Sequence, residues 1–224
     1  VLVSTDKAVK PVNVMGATKR LAELVVQSSN SETTQFMSVR FGNVLGTSGS
    51  VIPIFQDQIQ NGGPVTVTDP DMQRYFMSVS EASQLILQAG SIGSGGEVFV
   101  LDMGEPLRIL DIANELIRLS GYEPELDIPI NFIGTRPGEK KIEELVLDSE
   151  MLEKTLHEKI FVLKGDEHSP DIIEVLNKGI SDLEIRLSQK SAKQIRSMLA
   201  SLLPEYNPEL DTDEPIYLDI KAMA

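Results

Sequence analysis

Val1-Leu2-Val3-Ser4-Thr5-Asp6-Lys7, followed by Met15-Gly16-Ala17-Thr18-Lys19-Arg20, is the stretch on which the fold turns. The run Val1 to Ser4 is apolar and ends in polar residues, as a buried parallel strand does where it leaves its sheet. Pro11 and Asn13 punctuate a helix start, and Val14, Ala17, Leu21, Leu24 and Val25 then recur at helical spacing. Strand, short polar turn and amphipathic helix open a βα unit. The carboxyl end of such a strand, here Ser4, is where open α/β sheets place their ligands.

The same alternation continues downstream. Residues 35–41 read as a second strand with Gly42 directly after it. Residues 50–60 read as a helix stopped by Gly62-Gly63-Pro64. Residues 65–68 form a short strand. Ser78 with Glu81 makes a capping-box pattern ahead of Leu85, Ile86 and Ala89. Residues 97–101 are a strand, 109–119 an amphipathic helix closed by Gly121, and 128–133 the last strand. Strands alternating with helices predict an α/β domain with a largely parallel sheet. Beyond Asp148 the character changes. Residues 170–187 and 188–203 read as a helical hairpin, and the acidic stretch 209–214 as a solvated tail. The expected organisation is an α/β domain over 1–147, a mostly helical extension over 148–208 and an acidic tail over 209–224.

Composition narrows the function. A chain of 224 residues with 41% hydrophobic and 24% charged side chains is ordinary globular material, long enough to bury a sizeable core. The net charge of −14 argues against a general nucleic-acid binder, whose footprint is basic. A small anionic ligand stays open, because a few local arginines hold one phosphate group. No cysteine is present, so disulfides, a thiolate nucleophile and a cysteine-based zinc site are excluded, and no metal site is expected. No apolar run approaches a membrane span. A cytoplasmic location is expected. The start at Val1 lacks an initiator Met and suggests a fragment.

Candidate chemistry gathers at the opening stretch. Met15 and Lys19 are four apart and share one face of the first helix. A Ser4 hydroxyl facing Lys19 is the layout that orients a nicotinamide ribose beside a substrate carbinol. Read alone, Lys19 is solvated surface and Asp6-Lys7 a solvated turn; the whole string is far more specific. Asn43, after a strand end and Gly42, offers an amide to a sugar or diphosphate. Thr66 and Thr68 alternate with Val65 and Val67, so both hydroxyls face one side. Arg74 and Arg136 are candidate diphosphate clamps, since guanidinium binds phosphate oxygens in bidentate fashion. Glu139 is placed to accept bonds from ribose hydroxyls. Taken singly, each of these also reads as a surface salt bridge. His157 and His168 read as surface or loop residues, and the eight methionines as core filler.

The strings Ser-Thr-Asp-Lys at 4–7 and Met-Gly-Ala-Thr-Lys at 15–19 resemble the extended short-chain dehydrogenase/reductases. The narrower likeness is to the polysaccharide-biosynthesis group of UDP-N-acetylglucosamine 4,6-dehydratases. It runs to about Leu147 and includes Arg40-Phe41-Gly42-Asn43-Val44, Gly49-Ser50-Val51-Ile52-Pro53, residues 64–68, Arg74-Tyr75-Phe76 and Arg136-Pro137-Gly138-Glu139-Lys140. The resemblance implies the C-terminal part of a Rossmann-type doubly wound parallel sheet with a substrate-binding subdomain and a helical C-terminal extension. It implies NAD or NADP as cofactor, held in part by Ser4, Lys19, Phe41 and Gly42. It implies a UDP-sugar substrate held by Asn43, Ser50, Val51, Thr66, Thr68, Arg74, Arg136 and Glu139. A homo-oligomer is expected, at the cytoplasmic face of a membrane if an upstream anchor exists.

The implied reaction oxidises the sugar at C4, eliminates water across C5 and C6, and returns the hydride to C6. The catalytic set is Ser4, Thr5, Asp6, Lys7, Met15 and Lys19. Most of the family carries Tyr where this chain has Met15, and a thioether exchanges no proton. By resemblance Lys7 is the C5 base and Asp6 the acid for the leaving hydroxyl; one of them, or a water, must also serve the C4 hydroxyl. A nucleotide-sugar 4-epimerase and a non-catalytic sugar-nucleotide binder are the competing readings. A GxGxxG dinucleotide loop is absent, and the glycine cluster 90–96 precedes a strand instead of following one. The expectation is that on the order of a hundred residues precede Val1 in the parent protein, and that the fragment alone is inactive.

Overall fold

A computed structural model describes residues 1–47, 49–164, 170–186 and 191–207. His168 and the acidic tail lie outside the described residues. In chain order the elements are β1 (Leu2–Val3), α1 (Val14–Ser28), β2 (Ser38–Arg40), β3 (Asn43–Val44), α2 (Val51–Gln60), β4 (Val65–Val67), β5 (Gln73–Arg74) and β6 (Phe76–Met77). There follow α3 (Val79–Ile92), β7 (Val98–Leu101), β8 (Leu107–Arg108), α4 (Ile109–Leu119), β9 (Ile130–Phe132), β10 (Met151–Lys154), β11 (Ile160–Lys164), α5 (Pro170–Arg186) and α6 (Ala192–Leu202). A single turn of 3-10 helix, Asp6–Ala8, follows β1.

The main sheet has the order β1-β2-β7-β11-β10. β1, β2 and β7 are parallel, with Leu2 beside Ser38 and Ser38 beside Val98. Every residue of β2 and β7 is buried, and Val98–Leu101 accordingly reads as a continuous apolar run instead of an alternating one. α3 covers one face: its Ala82, Leu85 and Ala89 pack with Val39, Phe41, Phe99, Leu101 and Ile160. α1 presents Ala17, Leu21 and Leu24, and Leu176 of α5 with Leu199, Leu203 and Tyr206 closes over them. A second core lies in a smaller lobe, where Phe55 and Ile59 of α2 meet Ala113 and Ile117 of α4 across Val65, Val67 and Ile130 of the parallel pair β4–β9.

Local signals account for the helix starts. Asn13 caps α1 by accepting from the Gly16 N–H at 2.8 Å, and Ser78 caps α3 by accepting from the Glu81 N–H at 3.1 Å. The carboxylate of Glu81 accepts instead from Lys159 Nζ at 2.6 Å, so the Ser78 cap is tied to the β10–β11 turn.

One expectation needs correction. Residues 128–133 were expected to be the last strand, but the extension after 148, which carries the helices α5 and α6, begins with the hairpin β10–β11, whose strand β11 pairs antiparallel with β7 in the main sheet. All four residues of the edge strand β10 are exposed, so it has no buried face to imprint a period of two on its sequence. Thr155 Oγ1 donates to the carbonyls of His157 and Ile160 to shape the turn, and His157 sits half-buried within it. No described helix is long and apolar enough to cross a membrane.

Beneath β1 and β2 lies a buried ionic cluster. Glu23 is fully buried and accepts from Arg40 Nε (3.2 Å) and Nη2 (2.9 Å), Arg20 Nη1 (3.2 Å) and Ser4 Oγ (2.5 Å). Arg40 also donates to Glu150 and to the Leu145 carbonyl, and Arg20 to Glu205. Burial pushes the Glu23 pKa up, but the charge and hydrogen bonds of Arg40, the Arg20 charge and the Ser4 hydrogen bond together outweigh it and hold the carboxyl below the usual range.

Candidate active site

The geometry of the site follows from how β1 ends. Ser4 N–H donates to the Val39 carbonyl and Asp6 N–H to the Phe41 carbonyl, so β1 stays in register with β2 past its last strand residue. Thr5 then caps the 3-10 turn, accepting from Lys7 N–H at 3.4 Å, and its hydroxyl donates to Asp6 Oδ1 at 2.9 Å. Asp6 is fully buried, and Oδ2 has no hydrogen-bond partner. Lys7 Nζ donates to Asp6 Oδ1 at 2.9 Å and to Asn43 Oδ1 at 3.2 Å.

Two glycines let the chains approach this closely. A Cβ on Gly16 would stand 2.2 Å from the Lys7 carbonyl oxygen, so only glycine lets α1 cross directly over the turn. A Cβ on Gly42 would stand 2.8 Å from Tyr75 Cβ and 3.3 Å from Asp6 Oδ2. The Asp6–Ala8 turn is therefore clamped between α1 and the start of β3.

Asn43 joins this turn to a cavity of about 910 Å³, within the usual range for small-molecule sites. All eight residues expected to hold substrate line it: Asn43, Ser50, Val51, Thr66, Thr68, Arg74, Arg136 and Glu139. Ser50 caps no N–H of α2 with its side chain, and its buried hydroxyl has no partner. The N-terminus of α2 thus opens on the cavity, an arrangement suited to an anion. Thr66 accepts from Gln58 Nε2 at 2.7 Å while its N–H donates to Gln58 Oε1. Arg136 is exposed; Arg74 is buried and already engaged, with Nη1 donating to the carbonyls of Gln73 and Lys141 and Nη2 to Glu139.

Ser4 departs from its expected role. Its hydroxyl is buried and donates to Glu23 at 2.5 Å, so it faces the ionic cluster and not Lys19. Thr5, half-buried at the strand end, has the hydroxyl beside Asp6. Phe41 is likewise a core side chain. Met15 is 47% exposed, and Lys19 is half-buried with Nζ donating to the Val3 carbonyl at 3.3 Å.

The sequence reading missed Glu143. This carboxylate is 5% exposed, with Oε1 3.9 Å from Lys7 Nζ and 4.0 Å from Arg74 Nε. Burial pushes its pKa up; Asp6 adds to the rise, and Lys7, Arg74 and Lys140 oppose it. Its signal was faint: an acidic pair, Glu143-Glu144, inside an apolar frame of Ile142 and Leu145, four residues after Glu139.

Residues 1–165 match the model of the family described as polysaccharide biosynthesis protein. The capsular polysaccharide biosynthesis protein CapD of Staphylococcus aureus is 53% identical over 197 residues, covering 87% of this chain and 32% of that protein. A UDP-glucose 4-epimerase of Rickettsia canadensis is 39% identical over 155 residues, 67% of this chain and 44% of the epimerase. Among solved structures, Pen from Bacillus thuringiensis superposes with a TM-score of 0.64 at 36% identity, over 73% of this chain and 52% of Pen. DesIV of Streptomyces venezuelae, a dTDP-glucose 4,6-dehydratase solved with NAD and TYD bound, shares the fold at 18% identity and a TM-score of 0.57, over 65% of this chain and 50% of DesIV. The chain thus spans between a third and about half of the length of these proteins.

Proposed function

The chain belongs to the polysaccharide biosynthesis protein family, and we propose that in its parent protein it forms the catalytic turn and sugar-nucleotide site of a UDP-N-acetylglucosamine 4,6-dehydratase. The observation that carries the reading is Asn43. It lines the cavity and accepts a hydrogen bond from Lys7, so it joins the acid–base pair to the space that fits the substrate.

Ser50, Val51 and Arg136 are assigned to the diphosphate, where the N-terminal N–H groups of α2 and a guanidinium complement negative charge. Arg74 and Glu139 brace one another and line the same wall. Thr66 and Thr68 present hydroxyls to the remainder of the nucleotide. Lys7 takes the C5 proton, and Asp6 gives a proton to the C6 hydroxyl as it leaves as water; two groups side by side divide these roles when their environments separate them. Met15, 47% exposed and without an exchangeable proton, is given no part in proton transfer.

A nicotinamide dinucleotide, when bound, supplies the hydride acceptor and donor that this chemistry needs. Of the four residues assigned to it, Ser4 and Phe41 turn their side chains into the protein, which leaves Lys19 and the backbone at Gly42. Lys19 Nζ makes a 3.3 Å bond to Val3 O and keeps further donors, which suits the hydroxyl-rich part of the cofactor.

The test is mass spectrometry of UDP-N-acetylglucosamine after incubation with the full-length protein and NAD(P)+. Loss of one water supports the dehydratase. An isomer of unchanged mass supports the 4-epimerase, the second reading favoured by the similarity to epimerases. Unchanged substrate that nonetheless binds supports a non-catalytic sugar-nucleotide protein.

A further inference from the structure

The reaction as proposed leaves Glu143 without a task, although its setting is unusual. Its Oε2 is buried with no hydrogen-bond partner, and Oε1 approaches Lys7 Nζ at 3.9 Å. An ionised carboxylate out of water with an unsatisfied oxygen is costly, and proteins relieve that cost by protonating it. Two cations stand within 4.0 Å. Arg74 reaches it only through Nε at 4.0 Å, because Nη1 and Nη2 are committed to Gln73, Lys141 and Glu139. Of these two, Lys7 is the one that can exchange a proton, since guanidinium keeps its own.

We propose that Glu143 is a positioning residue for Lys7: its buried carboxyl holds the amine between Asp6 and Asn43 and stores the proton that Lys7 must lose before it acts as a base. The inference rests on the assignment of Lys7 as the C5 base. The transfer balances without any co-reactant. Once Lys7 Nζ moves from its 3.9 Å separation to hydrogen-bond distance, a proton passes from it to Glu143 Oε1; the N–H bond breaks and an O–H bond forms, and an ammonium–carboxylate pair becomes a neutral amine and a neutral acid. Lys7 then has a lone pair for the C5 proton. The charged groups facing Glu143 are Lys7 and Asp6 from the turn after β1, Arg74 from β5 and Lys140 from its own segment. Burial raises the proton affinity of the Glu143 carboxylate, which suits it to accept the proton that Lys7 gives up.

The experiment follows the Glu143 side-chain carboxyl by carbon-13 NMR through a pH titration, with Glu143→Gln identifying its signal. In the unaltered protein the midpoint should lie above that of the exposed glutamates. Lys7→Met and Lys7→Gln, which remove the cation, should raise it by about one further pH unit, the lower end of the effect of a close charge. Lys7→Arg should leave it near its starting value. A midpoint that ignores both neutral substitutions, or one in the ordinary glutamate range, overturns the proposal. In turnover, Glu143→Gln should lower kcat by about tenfold or more and displace the pH–rate profile, with KM for the UDP-sugar little changed and partial recovery in Glu143→Asp. An unaltered pH profile in Glu143→Gln also overturns it. Should the full-length protein form no dehydrated sugar, the function proposed above fails, while the titration still decides whether Glu143 and Lys7 share a proton.

Discussion

Gly16→Ala is a small change with a calculable outcome. The new Cβ would stand 2.2 Å from the Lys7 carbonyl oxygen, 3.1 Å from Pro11 Cβ and 3.2 Å from the Lys7 carbonyl carbon. Ordinary contact begins at 3.4 Å, so α1 and the Asp6–Ala8 turn must separate by roughly 1.2 Å. The closest obstacle is backbone, so no rotamer change relieves it. Alanine is the better helix former by about 1 kcal/mol, whereas overpacking costs about 1–3 kcal/mol, leaving a net loss of roughly 0–2 kcal/mol. For a chain of this size that lowers Tm by several degrees at most, at about 2–4 °C per kcal/mol. Turnover responds differently. A displacement of about 1 Å at the reacting groups costs on the order of a hundredfold, and Asp6 and Lys7 ride on the turn that moves. The cavity wall belongs to other elements, so binding of the UDP-sugar should be nearly unchanged. Calorimetric melting, UDP titration and product analysis of the full-length protein read the three quantities separately. A variant with raised Tm and full turnover would refute the claim that glycine is required for this crossing.

Glu23→Ala strips the buried cluster of the acceptor that Arg20, Arg40 and Ser4 share, and should destabilise by about 3–5 kcal/mol in urea unfolding. The pH dependence follows in sign: the folded pKa of Glu23 is depressed, so its stabilisation is present above the unfolded glutamate value and is lost as pH falls through the lower folded value. Melting temperature should therefore drop below about pH 4.3 in the native protein and more weakly in Glu23→Gln. Arg136→Ala should weaken UDP-sugar binding by roughly 1.5–3 kcal/mol by isothermal titration, without affecting Tm. Asp6→Asn should keep binding and lower turnover about a hundredfold, whereas Met15→Leu should be mild, as measured by 4-keto-6-deoxy sugar formation and deuterium uptake at C5.

The residues that could be read in advance are those whose role is local. α4 was expected over 109–119 and occupies that span, because its apolar positions recur around a single buried stripe. The cavity-lining set was legible through strings of sequence instead of periodicity: Thr66 and Thr68 alternate with buried valines, and Ser50 begins a helix after Gly49. Ser4 was misjudged because strand position fixes where a side chain starts and not what it meets. Its partner Glu23 lies on α1, a residue whose burial no helical pattern predicts for a carboxylate. Glu143 escaped for a related reason. Its neighbours Lys7 and Arg74 come from distant segments, and only the folded chain shows that this acid is kept from water while Glu144 beside it pairs with Lys10.

The ionic cluster also bears on the order in which the chain can mature. Arg40 is answered by Glu150, 110 positions later, and Arg20 by Glu205, 185 positions later. During synthesis the strands and helix that carry both arginines emerge long before those acceptors exist, and Glu23 alone must serve two guanidinium groups. The apolar stripe of α1 waits equally long for Leu199 and Leu203. Contacts this distant in sequence form late, because loop closure precedes their reward. The native partners of the first described helix are thus supplied largely by the last one, so truncation before residue 192 would leave the α1 stripe and Arg20 without them.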